Sequence, residues 1–221
     1  MIRCHSLPPP PFCRREALRY AGVRSADNDM EMLLDSVYHQ AAPALSYRVC
    51  FGEFPLCIRG NTCDLGFAKT ESASLARHLQ GCESILVLGA TIGVSLDRLI
   101  LRWSRLSPAR ALMLQALGTE RIESLCDAFC SEMERELSPR ALHLTPRFSP
   151  GYGDLPLSLQ RDIFSALAPE NKIGLTLNSS LIMSPSKSVT ALVGLTREKI
   201  NSIPNPCRSC TARDCAYRRS Q

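Results

Sequence analysis

The segment Arg147-Phe148-Ser149-Pro150-Gly151-Tyr152 decides the fold assignment of this chain, since it joins a permanent cation, a stiffened turn and an aromatic hydroxyl within six residues. An arginine can hold a carboxylate with two parallel donors, and Pro-Gly first restricts and then frees the backbone of a turn. The tyrosine adds an apolar ring with a polar tip. By residue type alone, the segment is either an ordinary turn or one wall of a site for a small zwitterionic ligand.

Together with Gly153-Asp154-Leu155-Pro156, this segment resembles the Arg-Pro-x-Pro-Gly-Tyr-Pro-x-x-Pro signature of the activation (reactivation) domain of cobalamin-dependent methionine synthase. The order and spacing of further blocks agree with that family from about Leu75 to about Leu195, which is more than half of the chain. The resemblance implies an α+β fold with a twisted, mainly antiparallel sheet and flanking helices. The further blocks are Ser107–Leu117, Ile173–Met183, which is similar to the family's G-x-x-L-T-E-S-F-A-M run, and Pro185–Thr190, which is similar to its P-x-A-S-V-S continuation.

The family binds S-adenosylmethionine, and the resemblance assigns roles to residues of this chain. It implies that Arg147 pairs with the carboxylate of the ligand, that the backbone at Ser149 meets the ligand, and that Tyr152 lines the pocket. Asp127 aligns with a glutamate that is a further family contact, and an acidic group there suits an amine or a sulfonium cation. By residue type alone, a solvated helix charge is the commoner interpretation of Asp127.

The resemblance also implies a cobalamin-carrying partner. In the family, the activation domain recovers inactive cobalt(II) with one electron and a methyl group from S-adenosylmethionine, and it contributes proximity and orientation. The chain has no Asp-x-His-x-x-Gly motif for a cobalt-ligating histidine and no visible nucleophile–base arrangement, so no catalytic residue is assigned. We expect a stand-alone module that acts in trans as a component of methionine synthase activity. Its partners would be an electron donor and either a methionine synthase lacking its activation domain or another corrinoid protein.

The C-terminal tail over residues 204–221 is rich in cysteine and arginine. Its three cysteines have a spacing that suits zinc or an iron–sulfur cluster, with a fourth ligand from Cys57, Cys63 or solvent. A reduced, metal-free tail is the equal alternative. An iron–sulfur cluster there would be a source of the electron that reactivation needs. The candidate ligands are Cys207, Cys210 and Cys215.

Two other functions stay open at this point. The first is a cysteine-rich zinc or iron–sulfur module that contacts nucleic acid or protein, although nucleic acid is disfavoured because the basic residues cluster on the tail. The second is a non-catalytic scaffold that keeps the fold without the ligand. It is suggested by Phe148 and Gly153, where the family tends to proline, and by Asn178, where the family has glutamate.

Composition limits the class of protein. The 221 residues are 45% hydrophobic and 21% charged, which is typical of a soluble globular chain, and the net charge of +5 only weakly indicates nucleic acid. The first thirty residues have no apolar run like that of a signal peptide, and the apolar stretch Ile85–Leu101 is interrupted by Asp97 and Arg98. With 11 cysteines, these features predict a cytoplasmic protein with reduced thiols and no membrane contact.

The pattern along the chain predicts three parts, namely a proline-rich extended N-terminus over 1–12 that builds no core, an α+β domain over 13–203 and the tail over 204–221. The strand over 188–195 alternates between apolar and polar residues, which predicts one buried face. Predicted helices cover 14–20, 27–40, 75–79, 122–137 and 158–167, and predicted strands cover 46–51, 85–90, 141–145, 173–177 and 188–195.

The helix over 122–137 places Glu123, Asp127 and Glu134 in one row at the edge of its apolar face. A side chain in that row can be partly buried and still reach a pocket. The strand over 141–145 would deliver Arg147 at its end. The resemblance implies that the helix carrying Asp127 and the turn at Arg147 contribute to one S-adenosylmethionine pocket.

Overall fold

The chain is represented by a computed structural model that describes residues 1–23 and 25–198. The helices of this part are α1 (Arg14–Tyr20), α2 (Asn28–Ala41), α3 (Ala73–His78), α4 (Ser95–Leu106), α5 (Pro108–Leu137), α6 (Leu159–Leu167) and α7 (Pro169–Ile173). The strands are β1 (Arg3–Ser6), β2 (Arg48–Pro55), β3 (Cys57–Arg59), β4 (Thr62–Asp64), β5 (Lys69–Glu71), β6 (Ser84–Thr91), β7 (His143–Leu144), β8 (Thr176–Leu177), β9 (Met183–Ser184) and β10 (Ser188–Thr196).

The main sheet has the antiparallel order β1-β2-β6-β10-β7. Its centre is β6, whose continuous apolar run is typical of a strand that is buried on both faces. Leu88 of β6 lies opposite Phe51 of β2 on one side and opposite Ala191 of β10 on the other. The α+β fold with an antiparallel sheet and flanking helices, which the sequence predicted, is confirmed.

Helices cover both faces of the main sheet. Leu86 and Leu88 lie in a core cluster with α1, α2, α4 and α5, whereas Val87 lies in a second cluster with α3, α6 and α7. On β10, Ala191 belongs to the first cluster and Leu192 to the second. The prediction that β10 buries only one face was wrong, because α6 and α7 cover the face that was expected to meet solvent.

Helix α5 is 30 residues long and contributes many of the buried side chains of the first core cluster. Its start is defined by Pro108 at the first helical position and by Ser107, whose side chain accepts a hydrogen bond from the amide of Arg110 at 3.4 Å. Leu125 and Phe129 are fully buried on the inner face. The acidic row that was identified in the sequence, Glu123, Asp127 and Glu134, lies on the flank of this helix.

The N-terminal segment is part of the fold. β1 pairs with β2, Pro10 is buried, and the side chains of Leu7 and Phe12 pack against the first core cluster. The guanidinium of Arg121 on α5 donates to the carbonyl of Pro10 at 2.7 Å. The prediction that residues 1–12 build no core was therefore wrong, since edge pairing and a buried arginine attach this segment to the domain.

Other elements differ from the sequence prediction. Residues 169–173 form α7, so the strand predicted over 173–177 is reduced to β8. The small sheet β3-β4-β5 and helix α4 were not predicted. Among the described residues, no helix combines the length and the apolar composition that a membrane span requires. The tail cysteines Cys207, Cys210 and Cys215 lie outside the described residues.

Candidate functional site

Arg147 is held at the edge of the main sheet. The amide of Thr145 donates to Gly194 of β10 at 2.9 Å, and Phe148 exchanges two backbone hydrogen bonds with Leu192 at 2.9 and 2.8 Å. Arg147 thus lies between two residues that are bonded to the sheet. This attachment fixes the backbone from which its side chain reaches towards α5.

The guanidinium of Arg147 contacts two carboxylates of α5. Its Nη1 lies 2.6 Å from Oδ1 of Asp127, and its Nη2 lies 2.7 Å from Oε2 of Glu123. The two acids are four residues apart and so share one side of the helix. The side chain of Asp127 is 73% exposed, compared with 21% for Arg147. We call Glu123, Asp127 and Arg147 the Arg147 cluster.

The electrostatics of the Arg147 cluster keep its cation charged. Burial by itself lowers the pKa of Arg147, but its negative surroundings, Asp127 and Glu123 among them, raise that pKa overall above the ordinary value. Behind the guanidinium, burial raises the pKa of both Cys126 and Cys130, so these groups are thiols at neutral pH. With two carboxylates and one guanidinium, the cluster carries a formal charge of about −1.

The turn after Arg147 presents an aromatic ring to solvent. Pro150 is buried, and Gly151 has a φ of 93°, a left-handed conformation that glycine adopts without strain. The turn is closed by hydrogen bonds from the amide of Tyr152 to Ser149 at 3.1 Å and from the amide of Gly151 to Leu155 at 2.9 Å. Tyr152 is 63% exposed. Within the described part of the chain, the amide of Ser149 has no hydrogen-bond acceptor.

Asp154 anchors the far end of this turn to α3. Its carboxylate accepts hydrogen bonds from Ser72 Oγ at 2.5 Å and from the amides of Ala73 and Ser74 at 2.8 and 3.0 Å. These donors, led by the Ser72 hydroxyl, lower the pKa of Asp154 well below its usual range. The carboxylate thereby caps the start of α3 and ties the turn to a second element.

Gly153 explains one departure from the resembled signature. Its φ is 56°, and a Cβ at this position would lie 2.7 Å from Ser74 Oγ. Proline, which is fixed near a φ of about −65°, cannot adopt this conformation. Glycine therefore suits the conformation of this turn, whereas the proline of the resembled signature does not.

The structure brings Arg147 and Asp127 into direct contact and places Ser149 and Tyr152 on the adjoining turn. Sequence reasoning placed Glu123 in the acidic row but assigned no ligand contact to it, although its i, i+4 relation to Asp127 was visible. Of the proposed fourth metal ligands, Cys57 is exposed, whereas Cys63 is fully buried and burial raises its pKa. Among residues 1–23 and 25–198, no three His, Cys, Asp or Glu side chains are arranged to hold a metal ion.

Two half-open pockets of the described structure lie away from the Arg147 cluster. A cavity of about 540 Å³ lies between α3 and the small sheet and is lined by residues that include Ile58, Asn61 and Cys82. A second cavity, of about 330 Å³, lies beside Glu53 and Arg140. At the Arg147 cluster, the Asp127 side chain is 73% exposed, so a ligand bound beside it would remain partly exposed.

Comparison with known proteins gives a likeness of structure. No family model matches the sequence, and no curated protein matches it. Among solved structures, the fold is similar to the crystal structure of the MetH reactivation domain bound to AdoHcy, with a TM-score of 0.65 and 13% sequence identity. The match covers 90% of this chain and 79% of that chain. At this identity, the likeness shows that the chain has the α+β fold of a reactivation domain.

Proposed function

We propose that the chain binds S-adenosylmethionine at the Arg147 cluster. The observation that carries the proposal is a guanidinium flanked by two carboxylates, next to an exposed aromatic turn, on a fold that resembles an AdoHcy-bound reactivation domain. Such a cluster offers opposite charges to the two ends of an amino acid. The exposed ring of Tyr152 supplies an apolar surface for the adenine.

Binding would proceed by an exchange of ion-pair partners. The carboxylate of the ligand replaces Asp127 at Nη1 of Arg147, while Glu123 keeps Nη2. Asp127 is largely exposed, so its side chain can rotate towards the ammonium group of the ligand. Arg147 then pairs with the carboxylate of the ligand and Asp127 with its ammonium group, and these two contacts replace the ion pair between Arg147 and Asp127.

The charges of the site and the ligand agree. The cluster is formally −1, and S-adenosylmethionine carries one carboxylate, one ammonium and one sulfonium, which sum to +1. The amide of Ser149 is an available donor beside the ligand, and Asp154 keeps the turn in position from the side of α3. Together these residues bind and orient the ligand, and none of them acts as a nucleophile.

We further propose that the bound ligand serves the reactivation of a cobalamin-dependent methionine synthase, or of another corrinoid protein, in trans. S-adenosylmethionine supplies an electrophilic methyl group on its sulfonium, and a separate donor supplies one electron. The likeness to a reactivation domain of MetH supports this role. We place it in the cytoplasm, since the eight cysteines of the described residues are all unpaired thiols.

The tail cysteines are proposed as a zinc or iron–sulfur site. Cys57 suits the fourth position better than Cys63, because Cys57 is exposed and Cys63 is enclosed. Anaerobic purification followed by iron, sulfide and zinc analysis tests this proposal. Metal at one equivalent that is lost in a Cys207→Ser variant supports it, and metal-free wild-type protein contradicts it.

Calorimetric titration with S-adenosylmethionine tests the main proposal. We expect saturable binding by the wild type that is weakened about 10- to 150-fold by Arg147→Ala, as for loss of a charge-assisted hydrogen bond of ~1.5–3 kcal/mol. Arg140→Ala is the matched control, because Arg140 also pairs with a carboxylate, that of Glu53, away from the site. Absence of binding by the wild type, or equal loss in both variants, contradicts the proposal.

A reactivation assay separates ligand binding from the role in trans. An oxidised methionine synthase fragment that lacks its activation domain is mixed with this chain, a chemical reductant and methyl-labelled S-adenosylmethionine. We expect the label to reach the fragment with wild-type chain and not with Arg147→Ala. If the chain binds the ligand but the label does not transfer to any corrinoid protein supplied, the ligand proposal stands and the reactivation role is contradicted.

A further inference from the structure

Helix α4 exposes a stripe of arginine and leucine side chains. The residues follow i, i+3, i+4, i+7 and i+8 spacing, so they lie on one side of the helix. The opposite side, which includes Leu96 and Trp103, packs against α5 and the first core cluster. The stripe consists of Arg98, Leu101, Arg102, Arg105 and Leu106, and we call it the arginine–leucine face.

The two leucines of this face are unusually exposed for their type. Leu101 is 64% exposed and Leu106 is 66% exposed. Leu112, near the start of α5, is 54% exposed and extends the apolar surface. Single exposed leucines are common, but these two lie among three arginines, and arginine is enriched in protein interfaces. The apolar part of the face is therefore a surface that burial against a partner would stabilise.

The three arginines lack acidic partners in the described part of the chain. No ion pair is formed by Arg98, Arg102 or Arg105 with any residue of 1–23 or 25–198. The nearest acid in sequence, Asp97, is engaged elsewhere, since it accepts from the amide of Ser186 at 2.8 Å and from its hydroxyl at 2.5 Å. The face thus carries about three uncompensated positive charges.

We propose that the arginine–leucine face docks the acidic, partly apolar surface of a partner protein. This inference goes beyond the proposed ligand site, because Leu112 and Asp127 are separated by about 22 Å along α5 at 1.5 Å per residue. Carboxylates of the partner pair with the arginines, and its apolar side chains cover Leu101 and Leu106.

The composition of the face disfavours other occupants. A phosphate backbone would pair with the arginines and leave the leucines exposed. Binding to the surface of a bilayer requires a helix with a broad exposed apolar face. The apolar face of α4 is not exposed, because it packs on the first core cluster. The chain's own residues 199–221 are repelled, since they carry five basic residues against the single acid Asp214. A second copy carries a net charge of +5 and is disfavoured in the same way.

The test is an NMR titration of the ¹⁵N-labelled full chain with a synthetic helical peptide. The peptide carries glutamates at i, i+4 and i+7 with leucines between them, and a control peptide carries glutamine in place of glutamate. We expect the acidic peptide to shift the amide signals of residues 98–106 and the control peptide to bind at least about 10-fold more weakly, because charge pairing is lost.

Two matched triple variants locate the binding. In Arg98→Glu/Arg102→Glu/Arg105→Glu, we expect the affinity for the acidic peptide to fall at least about 10-fold, since three attractive pairs become repulsive. Arg15→Glu/Arg59→Glu/Arg77→Glu changes the net charge equally at three exposed arginines elsewhere, and we expect less than about a twofold effect. Leu101→Ser/Leu106→Ser is expected to weaken binding without any change in charge.

The proposal is overturned if the peptide does not bind, or if both triple variants lose affinity equally. It is also overturned if phosphatidylserine vesicles or a DNA duplex bind through this face while the acidic peptide does not. All variants are checked for a dispersed spectrum and for binding of S-adenosylmethionine. Retained ligand binding with lost peptide binding separates this inference from the proposed function.

Discussion

Two arginine–carboxylate clusters use carboxylates of helix α5, and they differ in how far water reaches them. Arg121 is completely buried and Glu120 is 2% exposed, with Nε of the arginine 2.5 Å from Oε2 of the acid. The same guanidinium donates to the carbonyls of Pro10 and Pro11, both at 2.7 Å. In the Arg147 cluster, by contrast, Asp127 is 73% exposed.

The difference separates a structural ion pair from an exchangeable one. Arg121 directs its donors to Glu120 and to the N-terminal segment, so replacing any partner would leave a buried charge unpaired. Asp127 can leave Arg147 and be solvated at little cost. The buried cluster therefore attaches the N-terminal segment to α5, whereas the exposed cluster has the properties that the proposed binding of a zwitterion requires.

The largest expected effect comes from breaking the buried cluster. Arg121→Met leaves the Glu120 carboxylate buried without its cationic partner and frees the carbonyls of Pro10 and Pro11. We expect the free energy of unfolding to fall by about 3–5 kcal/mol. Urea denaturation measures this, with Arg140→Met as the control at no more than about 1 kcal/mol because its ion pair is exposed.

The double variant Glu120→Gln/Arg121→Met sharpens the same prediction. It removes the unpaired charge, so it should recover part of the stability that Arg121→Met loses. If Arg121→Met costs no more than Arg140→Met, the buried cluster is not structural and the contrast with the Arg147 cluster fails.

A second prediction concerns the exchange at Asp127. Asp127→Asn removes the proposed partner of the ligand ammonium, so S-adenosylmethionine should bind about 10-fold more weakly, a loss of ~1.4 kcal/mol. The same change removes the carboxylate that competes for Arg147. A desamino analogue of AdoHcy, which has the carboxylate but no ammonium group, should therefore bind more tightly to Asp127→Asn than to the wild type. Glu134→Gln, on the same flank of α5, is the calorimetric control, and weakening of both ligands by Asp127→Asn would contradict the exchange.

A third prediction concerns Asp154, which holds the turn after Arg147 against α3 and makes no contact with the buried Glu120–Arg121 pair. Its folded pKa is lowered, so its stabilising contribution is complete above the ordinary value of 3.8 and is lost as the pH falls below that value. The difference in unfolding free energy between the wild type and Asp154→Asn should therefore be constant near neutral pH and shrink in acid. Urea denaturation of both proteins at several pH values measures this difference. A difference that grows as the pH falls would contradict the prediction.

The smallest expected effect is a preference for charge. The Arg147 cluster is formally −1, so it should favour S-adenosylmethionine over AdoHcy, which lacks the sulfonium charge, by about two- to threefold at low salt. Competition binding at two ionic strengths measures the ratio. The ratio of the two affinities should approach one at high salt, because exposed charges are screened. A ratio that does not change with salt would show that the preference comes from the shape of the ligand and not from its charge.

Much of the fold follows from periodicity. The helix over 14–20 has the observed bounds, and the apolar run 85–90 lies in the central strand β6. The strand β10 was misread because its Thr190 and Gly194 suggested a solvent face, whereas Thr190 is 2% exposed. Local patterning does not reveal that a second layer of helices covers the other face.

The site was only partly predictable, for a related reason. The acidic row of α5 and the position of Arg147 after a strand were visible in the sequence, because both follow from regular spacing. The contact between them depends on the pairing of Phe148 with Leu192, and the anchoring of Asp154 depends on the start of α3, more than 70 residues earlier. Such long-range contacts leave no periodic trace.

The exchange at Arg147 is tested most directly by NMR of the arginine side chains in ¹⁵N-labelled protein during titration with AdoHcy. The account predicts that the guanidinium signals of Arg147 shift and saturate with the ligand, while those of Arg121 do not change. Saturable binding that leaves Arg147 unshifted, or that shifts Arg121 equally, would contradict the claim that the half-exposed cluster is the one that exchanges partners.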